Sequence, residues 1–173
     1  MTSVEPLVLY LALHRYINGA DAEAPFPGTF KNFIYTNTDS SQDLISKSEI
    51  YLSIVKPAEA DGNAFNIVDS SDPGSWSRKW PILAVYFGLK DTDSVEDAWS
   101  GLDGLLEEYK KMWGKYGLNF RAISPEAWIF VKEGFTLLDR NREMGLDKIR
   151  NVGFKEELPV GQGHCKIFDR LWR

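Results

Sequence analysis

The run LVLYLALHRYI, from Leu7 to Ile17, is apolar on nearly every side as far as Leu13. A helix that is hydrophobic all round must be buried on more than one face. The remainder of the chain therefore has to enclose it, and no other segment constrains the fold as strongly. Pro6 suits the first helical turn and Asn18-Gly19 provides the stop. No basic leader precedes the run, His14-Arg15 follow it where a small-residue cleavage site would stand, and it is too short to span a bilayer. We expect a cytoplasmic chain with no membrane partner.

Its 173 residues suit one domain, 1–173, with no nucleotide-binding domain. A net charge of −5 with no Lys/Arg cluster argues against a nucleic-acid partner. The single cysteine, Cys165, forms no disulfide within the chain and fits a reducing compartment. With His164 beside it, it makes neither a zinc site nor a triad, and the pair reads as a surface or half-buried feature.

Further along, ADAEAPFPGTF reads as a loop, because two prolines and a glycine surround Phe26. NFIYTNT has strand composition. TDSSQDLISKSEIYLSIV offers Asp39, Ser40 and Ser41 as caps for a helix carrying Leu44, Ile45, Tyr51, Leu52 and Val55. KPAEADGN is a turn and AFNIV a short strand. Ser75 precedes a helix SWSRKWPILAVYFG that contains Pro81 and stops at Gly88. A helical pattern runs from Val95 to Tyr116, and Ser124-Pro125 starts another over EAWIFVKEGFTLLD. Short helices near Asp147–Asn151, ending at Gly153, and near Gly163–Leu171 complete an α+β chain, mostly helical with a small sheet.

The phosphate-cradling glycine motifs are absent from the sequence, as are H-E-x-x-H, C-x-x-C and G-x-S-x-G. We expect no cofactor and no metal. Acid–base candidates are His14, Asp39, Asp43, Glu49 and the tyrosines at 10, 35 and 51, of which His14, Asp39, Glu49 and Tyr51 are put forward as catalytic. The plainer alternatives are a core or rim histidine and helix-capping acids. Thirteen per cent of the residues are aromatic, including six tryptophans. Such side chains usually pack cores and sometimes line apolar pockets. Core packing is the default for Trp76, Trp80, Trp113 and Trp128. Gly134, in the middle of a helical pattern, points to close approach of a neighbour.

Five segments now matter in their order: PFPGTF, TDSSQDLISKSEIYLSIV, GNAFNIVDSSDPGSWSRKWPILAVYFGLK, SPEAWIFVKEGFTLLDRNREMGLDKIRNVGF and GHCKIFDRLW. Together they resemble the C-terminal, substrate-binding half of the progesterone-5β-reductase/iridoid-synthase-like short-chain dehydrogenases, particularly the fungal ones. The resemblance covers nearly the whole chain. It implies enone or carbonyl reduction with a nicotinamide cofactor, whose glycine loop and catalytic Tyr and Lys belong to a Rossmann half outside these residues. It also implies that Trp128, Phe130, Val131, Gly134, Phe135 and Leu138 face substrate, with the Pro25–Gly28 loop and its Phe26 towards the same side. Tyr10 is put forward beside them as a substrate-binding candidate. Faces that would pack on the parallel sheet of that half need another cover, and a homodimer is the first expectation.

Three functions compete. The first is a cofactor-independent isomerase or cyclase, of Diels–Alder type for instance, holding an apolar polyketide or terpenoid in a reactive shape. The second is the substrate-binding half of an NAD(P)H-dependent reductase working with a separate Rossmann half. The third is a non-catalytic binder of such a small molecule.

Overall fold

The computed structural model describes residues 4–96, 133–136 and 140–171. The chain divides into two compact units, Met1–Ile34 with Trp80–Arg140 and Tyr35–Lys79 with Asn141–Arg173. The architecture is a mixture of helix and small sheets, as expected. Among the described residues no helix is long and apolar enough to cross a membrane.

In the first unit, helix α1 (Val4–Asn18) ends at Gly19, whose φ of 89° only glycine adopts readily. Leu7, Tyr10, Leu11 and Leu13 are all buried. At 100° per residue these positions fall within an arc of about 160°. Val8, Leu9 and Ala12 on the other side are half-buried, so the helix is buried along one face and only partly covered elsewhere, short of the all-round enclosure expected from the sequence. Strand β1 (Glu23–Pro27) is parallel to β4 (Lys90–Glu96). This corrects the reading of APFPG as a loop. Pro25 and Pro27 have no N–H to donate, and the register slips between Ala24 and Phe26, the kind of irregularity that admits proline in a strand. The helical reading from Val95 is also corrected at its start, since Val95 lies in β4. Residues 97–116 of that pattern lie outside the described residues.

NFIYTNT, read as a strand, is extended only at Thr36–Asn37, and its first three residues belong to helix α2 (Phe30–Ile34). The Thr29 hydroxyl accepts the Asn32 N–H at 3.2 Å, a helix cap that outweighs the β-propensity of the segment. The centre of this unit is aromatic. Phe26, completely buried, lies with ring centroids 5.2–5.4 Å from Phe33, Phe135 and Trp80. The Trp80 indole N–H donates to the Ala24 carbonyl at 2.7 Å, which satisfies the one polar atom of a fully buried ring.

In the second unit, the two-residue strands β2 (Thr36–Asn37) and β3 (Gly74–Ser75) pair antiparallel. Helix α3 (Gln42–Ile50) is capped by Ser41, one of the three candidates. It widens into a π-helical turn over Tyr51–Val55, closed by Lys56 N–H to the Tyr51 carbonyl at 3.2 Å. The following α4 (Pro57–Ala60) replaces the expected simple turn, with Pro57 in its first turn. AFNIV forms no strand. Val68 is buried, but the polar groups of this segment meet single loop groups: Ser40 donates to the Ile67 carbonyl at 2.8 Å, and the Asn66 side chain donates to the Gly145 carbonyl at 3.4 Å. Val68 joins Leu44, Leu146, Ile149 and Phe154 in this unit's core.

Helix α5 (Trp76–Tyr86) carries residues of both units and holds Pro81. It ends as read, at Gly88: Leu89 N–H reaches the Ala84 carbonyl at 3.0 Å and Gly88 N–H reaches that of Val85 at 2.9 Å, with Gly88 at φ 66°. This double bond across a left-handed glycine is the Schellman cap. The same arrangement closes α6 (Asp147–Asn151) at Gly153. The last described helix is α7 (Gln162–Leu171).

Candidate functional site

Among the described residues, a dense arrangement of titratable groups lies in the second unit around Lys79, in the first turn of α5. Its side chain is 1% exposed. The ammonium donates to the Asn37 amide oxygen and sits 2.8 Å from both carboxylate oxygens of Asp39. It also lies 5.2 Å from the centroid of the Trp76 ring, three residues earlier and on the same helical face. Burial lowers the Lys79 pKa from its ordinary value, with Asp39 pulling in the opposite direction.

Asp39 stands on the loop leading to α3, where its carbonyl accepts the Asp69 N–H at 2.8 Å, and Asp69 is held in turn. The Ser41 N–H donates to Asp69 Oδ1 at 2.7 Å, and Leu158 N–H donates to the Asp69 carbonyl at 2.6 Å. From α7, His164 brings Nδ1 to 4.0 Å from Asp39 and sets its ring edge-on to Trp76 at 5.8 Å. Burial is the main cause that holds its imidazole below the usual value. A methyl group on Gly163 would collide with the Asp69 carboxylate, so glycine is what lets the start of α7 come this close. A shallow hollow opens at Asp39, lined also by Thr38, Asp69, Asp72, Gly74 and Val160. Its interior is about 10 Å³, room for about one water.

Chemically, the arrangement holds one ammonium on one carboxylate with a neutral imidazole beside them. The amine is enclosed too completely to attack a bulky substrate, whereas Asp39, 29% exposed, presents its carboxylate at the hollow.

The proposed site residues are distributed over both units. Asp39 is in the cluster just described. Glu49 is exposed on α3, and the Tyr51 hydroxyl donates to the Val152 carbonyl at 3.0 Å beside Phe154. His14 belongs to the other unit, with Nε2 2.7 Å from the Glu23 carbonyl oxygen. The Tyr10 hydroxyl donates to the Pro25 carbonyl at 3.3 Å, and Phe26 and Phe135 pack against each other in the core. Around Gly134 nothing among the described residues lies within 4 Å of where a Cβ would stand, and its carbonyl accepts from the Asn32 side chain at 2.7 Å. Trp128, Phe130, Val131 and Leu138 lie outside the described residues. Sequence reasoning missed Lys79, Asp69 and His164. The only local signal was a lysine between two tryptophans on a capped helix.

A nicotinamide dinucleotide needs free backbone N–H donors and no competing anions at its pyrophosphate. The strand-to-helix turn at Gly28 fails on the first count: Gly28 N–H donates to the Phe26 carbonyl and Thr29 N–H to that of Phe135. The hollow at Asp39 fails on the second, because three carboxylates line it. The described residues therefore do not fit that cofactor, and no chemical step is assigned to it. Among them no group of three metal-ligating side chains occurs either.

The chain belongs to the PRISE-like Rossmann-fold family, whose model matches residues 2–173. It is 46% identical over 174 residues to the short chain dehydrogenase ausT of Aspergillus calidoustus, across 98% of this chain and 42% of that protein. The short chain dehydrogenase sirS of Leptosphaeria maculans is 37% identical over 96% of this chain and 43% of its own length. A second protein of that organism, sirQ, is 25% identical over 98% of this chain and 42% of its own. The chain thus spans about two fifths of the length of the curated relatives it matches.

Proposed function

We propose that these 173 residues are the substrate-facing, C-terminal part of a short-chain dehydrogenase that reduces an enone or carbonyl of an apolar polyketide or terpenoid. In this reading the dinucleotide site comes from polypeptide outside them. The observation that carries it is the match to ausT, which runs through nearly all of this chain yet leaves more than half of that dehydrogenase unmatched. The glycine-rich loop missing from the sequence has room in the unmatched part. Self-association belongs to the same reading, since Ile54 and Val85 are 75% and 65% exposed and would find cover in a dimer.

The test is an NADPH fluorescence titration of the purified chain, repeated with the unmatched part of ausT added as a separate polypeptide. The cofactor should bind only in the mixture, together with reductase activity on an enone panel. Tight NADPH binding by the chain alone overturns the reading. Conversion of a polyene or enone by the chain alone, without nicotinamide, supports the cofactor-independent isomerase or cyclase in its place. Light scattering checks the dimer, and a monodisperse monomer would refute it.

A further inference from the structure

Of the two histidines in the chain, His164 stands in the first turn of α7 with its side chain only 14% exposed. The charged groups facing it come from three other elements. The Thr38–Ser41 loop brings Asp39, with an oxygen 4.0 Å from Nδ1. Helix α5 brings the Lys79 ammonium and the Trp76 ring. The loop at Asp69 brings a second carboxylate, which closes on Gly163. On its own helix, Cys165 and Lys166 are its neighbours.

Both oxygens of Asp39 are already engaged by Lys79 at 2.8 Å. Asp69 is committed through one oxygen to the Ser41 N–H. An imidazolium at this place would therefore meet one fully occupied carboxylate, one partly occupied carboxylate, and an ammonium of its own sign. It would also lie at the positive end of the α7 dipole, where cations are disfavoured. The hollow beside Asp39 admits about one water, too little to hydrate a new charge.

We propose that His164 is a pH-sensitive anchor of the C-terminal helix α7: once protonated, it competes with Lys79 for Asp39 and releases the first turn of the helix from the Asp69 and Trp76 surfaces. Burial of the imidazole places the event on the acid side of the ordinary histidine range, so α7 is seated at neutral pH.

Hydrogen exchange of the full chain, corrected for intrinsic rates, tests this between about pH 7.5 and about pH 5. Peptides covering 162–168 should lose protection about tenfold or more as the pH falls, while α3 peptides keep theirs. In His164→Gln the loss should vanish, and in His14→Gln it should persist. The Trp76 emission, taken as the difference from Trp76→Phe, should change in the same window as the imidazole leaves its ring and stay level in His164→Gln. An unchanged pH response in His164→Gln overturns the proposal, as does simultaneous loss in α3 and α7. Should that variant not fold, the imidazole Cε1–H resonance of wild-type His164, told from His14 with His14→Gln, replaces it. Titration coincident with the exchange step supports the anchor; a neutral His164 while α7 opens refutes it.

Discussion

Replacing Lys79 by Met keeps an unbranched stem of similar length in the enclosed channel and removes only the ammonium. What it strands is Asn37 Oδ1 and both oxygens of Asp39. Hydrogen bonds to charged groups contribute about 1.5–3 kcal/mol each. Two effects reduce that loss. Asp39 is 29% exposed and regains water once released. The dehydration of an ammonium, several kcal/mol on its own, no longer has to be offset. The net destabilisation expected for Lys79→Met is about 1–3 kcal/mol. Asp39→Asn works in the opposite sense, since it leaves the 1%-exposed ammonium without its counter-ion, and removing one partner of a buried pair in this way costs about 3–5 kcal/mol. The carboxylate substitution should thus be the more damaging, and the double variant should recover about 1–3 kcal/mol relative to the sum of the singles. Urea unfolding at neutral pH, followed by circular dichroism, measures all three chains. If Asp39→Asn is tolerated better than Lys79→Met, the buried ammonium does not depend on that carboxylate and the reasoning fails.

Two glycines make opposite predictions. At Gly28 a Cβ would stand 2.5 Å from Phe26 Cε1 and 2.8 Å from the Phe135 carbonyl oxygen, so Gly28→Ala should lower stability by about 1–3 kcal/mol in the same urea assay. At Gly134, within helical residues 133–136, no described residue stands within 4 Å of that point, so Gly134→Ala should be neutral or stabilising by up to about 1 kcal/mol. Acid should act at a third place. The Arg170 guanidinium, 2.5 Å from Asp43, holds that carboxyl below its usual range. Its contribution is therefore complete above about pH 4 and lost as the pH falls through the lowered folded value. Thermal melts from about pH 5 down to about pH 2 should show a smaller loss in Asp43→Asn than in wild type, and an identical slope would count against the ion pair.

What the sequence made legible was local. Helix α1 could be drawn from Pro6 and Gly19, α3 from Ser41, and the ends of α5 and α6 from Gly88 and Gly153, because a cap or a left-handed glycine acts within a few residues. Strand β1 was hidden because Pro25 and Pro27 carry a loop signal that only the partner β4, more than sixty residues away, overrides. AFNIV misled in the other direction: its composition fits a ladder, yet its polar partners are the Ser40 hydroxyl and the Gly145 carbonyl, both on loops. The Lys79 cluster was invisible for the same physical reason. Its pairing with Asp39 spans forty residues and its approach to His164 spans more than eighty, and neither distance leaves a period or a motif in the chain. Asp39 was reached only as a possible cap or acid, without the ammonium that defines its surroundings.

The enclosure of Lys79 gives the chain a built-in counter of its own openings. Amine-acylating reagents modify lysines such as Lys47 and Lys56, 57% and 35% exposed, directly from solution. Lys79 becomes reachable only when its unit parts around it, so its acylation rate follows the population of that opened form. Mass spectrometry of a single tryptic region would then read how often the polar centre of this unit comes undone, while the exposed lysines in the same sample report the chemistry of the reagent alone.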